Sequence, residues 1–319
     1  MTRFDPERKI IEYRAYAKIN LALSVLGKRA DGYHDIVTVM VPVGIFDVVT
    51  LERQPEGLSV FCPDLLDLPQ ENNLAYKAAR ALMSKAGIDL GIKIEIQKNI
   101  PPGSGMGGGS SDAAATLLGI DWFLRKGADP DLGFLMEVGA HIGADVPFFL
   151  GCNSHPPIWE GAICTGIGDK VEPLSPPRYW LVLVVPEVQV STRWAYSLWN
   201  PGSYHQEKTA GESRGTDLRV RATVDALLSG DPEHLARTTF NDLEKGVASF
   251  HEEITRIKEK LLSSGALAAC MTGSGSAVYG ICRSFEHATL VRERFSLAAA
   301  DLPIKVVTVV RTGVGGNED

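Results

Sequence analysis

The chain has 319 residues, 45% hydrophobic and 22% charged, with 32 Lys+Arg against 39 Asp+Glu and a formal net charge of −7. This composition excludes disorder, collagen and coiled coil, and the acidic balance argues against a nucleic-acid partner, which calls for a basic face. Chains beyond ~250 residues tend to divide into two cores, so two domains with a cleft between them are expected.

The N-terminal region reads as sheet-forming. In Val37–Glu52 the run VTVMVPVGIFDVVTLE is rich in Val and Thr, with Gly44 and Asp47 as turn residues, which predicts two strands or one bent strand pair. Residues 72–87 place Leu74, Ala78, Ala81 and Leu82 at helical spacing between a capping Asn and Gly87, a helix. Ile92, Ile94 and Ile96 then alternate with polar residues, a strand with one buried face that ends at Asn99. A glycine loop spans Pro101 to Ser111, followed by an Ala/Leu helix ending at Gly127 and a second helix over LGFLMEVGAHIG. Tyr179–Val185 is an apolar run suited to a buried strand, and Pro173, Pro176 and Pro177 before it suggest a boundary, giving domains 1–175 and 176–319. Residues 200–217 are polar and aperiodic, a surface loop. The end of the chain alternates helices with strands, so the fold class is α+β.

Five widely spaced cysteines (Cys62, Cys152, Cys164, Cys270, Cys282) contain no CxxC pair and fit neither a disulfide scaffold nor a zinc site, which points to a reduced cytoplasm. The first twenty residues lack the apolar core of a signal peptide, and no run approaches ~18 apolar residues. The expectation is a cytoplasmic protein, monomer or homodimer, with no membrane or nucleic-acid partner.

The sharpest chemical signal is Pro102-Gly103-Ser104-Gly105-Met106-Gly107-Gly108-Gly109-Ser110-Ser111 directly before a helix. Residues without a Cβ let backbone amides approach an anion, and a helix N-terminus adds fixed positive potential, so phosphate is the natural ligand. Ser110 or Ser111 can offer a hydroxyl to phosphate or Mg²⁺. There is no Gly-Lys-Ser/Thr, so this is not a Walker loop. Gly103, Gly105 and Gly108 satisfy GxGxxG, but a second helix follows where a dinucleotide fold needs a parallel strand ending in an acidic residue, which argues against an oxidoreductase. The histidines show no ligand spacing such as HExxH.

Pro101 to Ala114 resembles the phosphate loop of the GHMP kinases, with Met106 where that family has Leu. AYAKIN (Ala15–Asn20), RADGYHDI (Arg29–Ile36) and GADVPFFL (Gly143–Leu150) narrow the resemblance to members acting on a cytidine-bearing alcohol, and FNDLE (Phe240–Glu244) and MTGSGSAVYG (Met271–Gly280) extend it along the chain. The segment after Leu150 is longer than the family pattern, with an unfamiliar His155-Pro156-Pro157.

The resemblance implies the two-domain GHMP kinase architecture with its active site in the interdomain cleft. It implies transfer of the γ-phosphoryl of ATP, with Mg²⁺, to the 2-hydroxyl of a methylerythritol carrying cytidine diphosphate, in the non-mevalonate route to isoprenoid precursors. Lys18, by itself an ordinary surface lysine, becomes a catalytic residue beside Asp145, which alone would read as a turn or cap residue and becomes the candidate base. Tyr33 and His34 hold the cytosine with a further ring, Tyr196 or else Trp194, and Asn20, Thr192, Gly273, Ser274 and Gly275 complete the substrate side. Asn73, Lys98 and Pro101 stand on the adenine side of ATP. The alternatives are a GHMP kinase for homoserine, mevalonate or a sugar, and a non-catalytic nucleotide-binding protein on the same fold.

Overall fold

The structure is a computed structural model that describes residues 4–5, 9–200 and 217–314. The polar stretch read as a surface loop therefore lies outside the described residues except at its two ends. In chain order the first elements are β1 (Phe4–Asp5), β2 (Ile10–Lys28), β3 (His34–Arg53), β4 (Leu58–Phe61), α1 (Leu74–Ala86), β5 (Ile92–Gln97), α2 (Gly108–Leu124), α3 (Leu132–Ile142) and α4 (Val146–Asn153). There follow β6 (Gly161–Gly166), β7 (Lys170–Leu174), β8 (Trp180–Pro186), α5 (Thr192–Ser197), α6 (Leu218–Ser229), α7 (Pro232–Ala236), β9 (Phe240–Asn241), α8 (Glu244–Ala248), α9 (Glu252–Ser263), β10 (Ala268–Met271), β11 (Val278–Cys282), α10 (Phe285–Ala298) and β12 (Ile304–Arg311).

The chain divides into two compact units that alternate along the sequence. One comprises the described residues of Met1–Ala17, Ile45–Pro102 and Gly107–Glu160; the other those of Lys18–Gly44, Gly103–Met106 and Gly161–Asp319. In the first unit β3 pairs with β5 antiparallel, Val48 opposite Gln97, and β4 pairs with β5 parallel. Ile92, Ile94 and Ile96 point inward as their period demanded. Helix α2 is buried all along Ser111–Asp121, as an Ala/Leu helix without a polar face must be. The segment after α4, where the chain departs from the family pattern, is tied down by Trp159, whose buried ring donates from Nε1 to the Phe148 carbonyl at 2.9 Å.

In the second unit a four-stranded antiparallel sheet runs β10-β11-β8-β12. Its core draws Val182 and Val184 from β8, Ile254, Ile257 and Leu261 from α9, and Val291 and Phe295 from α10 into one apolar cluster. Also in this unit, β6 pairs with Ile36–Met40 of β3, and β9 with Ala22–Leu23 of β2.

Two expectations are corrected. Val37–Glu52 is neither two strands nor a bent pair but part of one 20-residue strand, β3. Asp47, read as a turn residue, is fully buried within it, because its carboxylate is satisfied by three donors from the β5–α2 connection. The glycine loop is also shorter than expected, since α2 begins at Gly108 inside the glycine run.

Candidate functional site

In the second unit, Lys18 lies on β2 with 4% of its surface exposed. Its Nζ donates to Asn20 Oδ1 and to the Gly105 carbonyl of the glycine loop, both at 2.7 Å, and its backbone amide donates to the Met106 carbonyl at 3.0 Å. A buried ammonium needs such acceptors to offset its lost hydration. Asn20 is held in turn, with Nδ2 donating to Thr38 Oγ1 at 2.8 Å. Gly105 has φ +79, and a Cβ there would stand 2.5 Å from the Thr272 carbonyl oxygen, so both conformation and space require glycine. Ser104 and Met106 are buried on either side of it, and the Ser104 carbonyl accepts from Ala277 N at 3.0 Å.

In the first unit, α2 opens at Gly108 behind Gly107 as its cap, so the amides of Gly108, Gly109 and Ser110 have no helical acceptor. Asp145 is the N-cap of α4, yet its side chain makes no capping bond, unlike Asp131 before α3, which accepts from Phe134 N at 3.2 Å. Its Oδ2 instead stands 3.4 Å from where a Cβ on Gly107 would be. A carboxylate thus lies beside open helix amides that favour an anion. Ser111 is fully buried, and its hydroxyl accepts from Asn153 Nδ2 at 3.0 Å. Ser110 is only partly buried, with Oγ 3.3 Å from the Cβ position of Gly143.

Lys98, expected on the adenine side, turns its ammonium inward. With a 6% exposed side chain it forms ion pairs with Asp47 and, at 2.7 Å, with Asp112 of α2. Asp47 Oδ1 also accepts from Asn99 N at 2.5 Å and Ile100 N at 2.8 Å. Burial pushes the Asp112 carboxyl above the ordinary carboxylate range; Lys98 pulls it back, and Asp47 adds to the rise. For Lys98 burial lowers the pKa, but Asp112 and Asp47 outweigh it and the net shift is upward. The triad ties β3, the approach to the loop and the first turns of α2 into one support.

Asn73 caps α1, with Oδ1 accepting from Ala75 N at 2.9 Å, and also lines a cavity of ≈ 180 Å³ with Val60, Phe61, Leu66, Leu68 and Gln70. Phe61 and Leu66 are exposed there, 48% and 74%. Pro101 is buried and Pro102 exposed.

Returning to the second unit, the turn before β3 leaves Tyr33 61% exposed, while His34 packs against Tyr196 with ring centroids 5.2 Å apart and against the edge of Trp199 at 5.7 Å. Trp194 goes elsewhere, to Phe250 and His251, so Tyr196 is the ring brought to His34. Burial first, then the Lys28 ammonium, hold the His34 imidazole below its ordinary pKa, which favours the neutral ring with one donor and one acceptor. Thr192 at the start of α5 hydrogen-bonds Ser274 of the Gly273–Gly275 turn through their hydroxyls at 3.1 Å.

Sequence reasoning missed Asp47, Asp112, Asn153, Trp199 and the supporting role of Asn241. Asp112 stands next to the serines of the loop, and Asn241 lies in a quoted motif, so both carried a signal; Asp47 and Asn153 are identified only by partners distant in the chain.

The family profile GHMP kinases N terminal domain matches residues 73–152 and GHMP kinases C terminal matches 223–301. The chain is 34% identical over 307 residues to the 4-diphosphocytidyl-2-C-methyl-D-erythritol kinase of Caldicellulosiruptor bescii, covering 96% of this chain and 100% of that one. It is 39% identical to the protein of that name from Thermodesulfovibrio yellowstonii, over 84% of this chain and 88% of the relative. A crystal structure of 4-(cytidine 5'-diphospho)-2C-methyl-D-erythritol kinase superposes with TM-score 0.74 and 31% identity, covering 95% of this chain and 100% of that one. The homoserine kinase of Cytophaga hutchinsonii, TM-score 0.70 at 19% identity over 98% and 97% of the two chains, shares the fold. This chain belongs to the GHMP kinases, in the group named 4-diphosphocytidyl-2-C-methyl-D-erythritol kinase.

Proposed function

We propose that the protein transfers the γ-phosphoryl of ATP to the 2-hydroxyl of 4-diphosphocytidyl-2-C-methyl-D-erythritol, giving the 2-phosphate and ADP, within the non-mevalonate route to isoprenoid precursors. The observation that carries this reading is the open helix start at Gly108 with the non-capping carboxylate of Asp145 beside it. Phosphoryl transfer asks mainly for positioning and for stabilised negative charge. Residues 103–111 cradle the phosphates through backbone amides. Asp145 takes the proton of the 2-hydroxyl as its oxygen bonds to the γ-phosphorus and the bond to the β-phosphate oxygen breaks, and the Lys18 ammonium stabilises charge on the transferred group.

The cavity beside Asn73, lined by aliphatic and aromatic side chains with Gln70 and Asn73 among them, is proposed to take the adenine, and Lys98 serves from beneath the loop. Tyr33, His34 and Tyr196 hold the cytosine; His34 and Tyr196 already touch, so the base stacks on the outer side of that pair. Asn20, Thr192, Ser274 and the backbone of Gly273 and Gly275 line the substrate side. The partly buried hydroxyl of Ser110 is a hard oxygen donor of the kind Mg²⁺ takes, and would hold it together with phosphate oxygens, whereas Ser111 is buried against Asn153. When bound, that ion neutralises phosphate charge.

A boundary at 175/176 remains a proposal: the two family profiles fall on either side of it, while the compact units change over at Glu160/Gly161 in this part of the chain. A cytoplasmic location is proposed from five free, buried cysteines. Among the described residues no helix is long and apolar enough to cross a membrane.

The cytidine assignment is tested by kinetics. CDP is expected to compete with the diphosphocytidyl alcohol, and Tyr196→Leu to raise the KM for that alcohol about tenfold, within the ~1–3 kcal/mol of base–aromatic stacking, with KM for ATP unchanged. A Tyr196→Leu enzyme whose KM moves for ATP and not for the alcohol overturns the assignment.

A further inference from the structure

We infer that Thr272, at the start of the second glycine turn, is a positioning residue that holds the Lys18 ammonium through Asn20; the inference rests on the kinase reading of Lys18. Thr272 is fully buried and its hydroxyl is used twice: Oγ1 accepts from the Asn20 amide at 2.9 Å and donates to Asn20 Oδ1 at 3.2 Å. That Oδ1 is the atom that accepts from Lys18 Nζ. With Nδ2 committed to Thr38, the Asn20 side chain is fixed at both ends, and flipping it would turn its NH₂ toward the ammonium.

Thr272 is itself anchored. Its amide donates to the Ala277 carbonyl at 2.9 Å and its carbonyl accepts from Gly275 N at 3.0 Å. Asn241 brackets it, donating from Nδ2 to the Met271 and Gly273 carbonyls at 2.8 Å each, while its Oδ1 accepts from Leu243 N at 2.9 Å. The FNDLE segment therefore fixes the turn, the turn fixes Asn20, and Asn20 fixes Lys18. The packing is close: a Cβ on Gly273 would lie 2.9 Å from Lys18 Nζ and 2.6 Å from the Gly105 carbonyl oxygen. Thr272 touches neither ATP nor alcohol in this scheme; it sets where the ammonium sits.

The test uses the full chain labelled with ¹³Cε-lysine, the Lys18 resonance being assigned by its loss in Lys18→Arg, together with steady-state kinetics. Thr272→Val keeps the shape and removes the hydroxyl. It is expected to move the Lys18 resonance and to lower kcat by about tenfold to a hundredfold with KM for ATP unchanged, and Thr272→Ser is expected to restore both. Thr272→Ala takes its place if the valine variant does not fold. A Lys18 resonance unmoved in a folded hydroxyl-free variant overturns the Thr272 inference, as does a Thr272→Ser enzyme as impaired as Thr272→Val. Absence of turnover in the wild type would instead overturn the kinase reading, and the resonance would still report on Thr272.

Discussion

Asp145→Asn is expected to lower kcat by about 10²–10⁴-fold, the range of a lost general base, while leaving the fold and KM for ATP close to wild type. The amide has the size of the carboxylate but cannot take the proton of the attacking hydroxyl. Helix α4 should be indifferent to the change, because Asp145 occupies the N-cap without making a capping bond and the helix is held by the buried side chains of Val146, Phe148, Phe149 and Leu150. Coupled ADP release beside a thermal melt separates the two effects. A kcat within a few-fold of wild type would remove Asp145 from the chemistry, and a collapsed melting temperature would make it a structural residue.

Lys18→Met is expected to reduce kcat by about 10²–10³-fold through loss of charge stabilisation at the transferred phosphoryl group, with a smaller cost in stability. Asn20 Oδ1 keeps its bond from Thr272 Oγ1, so the partly buried Gly105 carbonyl is the acceptor that loses its Lys18 donor unreplaced, at about 1–3 kcal/mol if left unsatisfied. Removing a buried charge also removes its desolvation penalty, so the net fall in Tm should be a few degrees. Kinetics together with calorimetry check this. A variant that melts like wild type and turns over normally would contradict the account of Lys18.

Much of this was legible along the chain. Periodicity located α1, β5, α3 and β8 because each has one simple burial pattern: an apolar stripe for the helices, alternation for β5, and an unbroken apolar run for the central strand β8. The glycine loop and the helix behind it were legible, and they suggest a phosphate site because glycines before a helix serve few purposes other than close approach of backbone to an anion. Asp47 was misread because an isolated Asp in a Val-rich run looks like a turn, and only Lys98, 51 positions on, shows why it can be buried in a strand. The early start of α2 was missed because Gly108 and Gly109 are poor helix formers by propensity, a preference overridden where a helix N-terminus is packed in place. The partnership of Thr272 with Asn20 spans 252 positions, and nothing local in either segment announces it.

The measurement that bears most directly on the central claim is coupled ADP release by the purified protein given MgATP, alone and with 4-diphosphocytidyl-2-C-methyl-D-erythritol, homoserine or mevalonate. The account predicts ADP formation that requires the diphosphocytidyl alcohol. Turnover with homoserine or mevalonate at equal or higher kcat/KM, or none with the diphosphocytidyl alcohol, would contradict it.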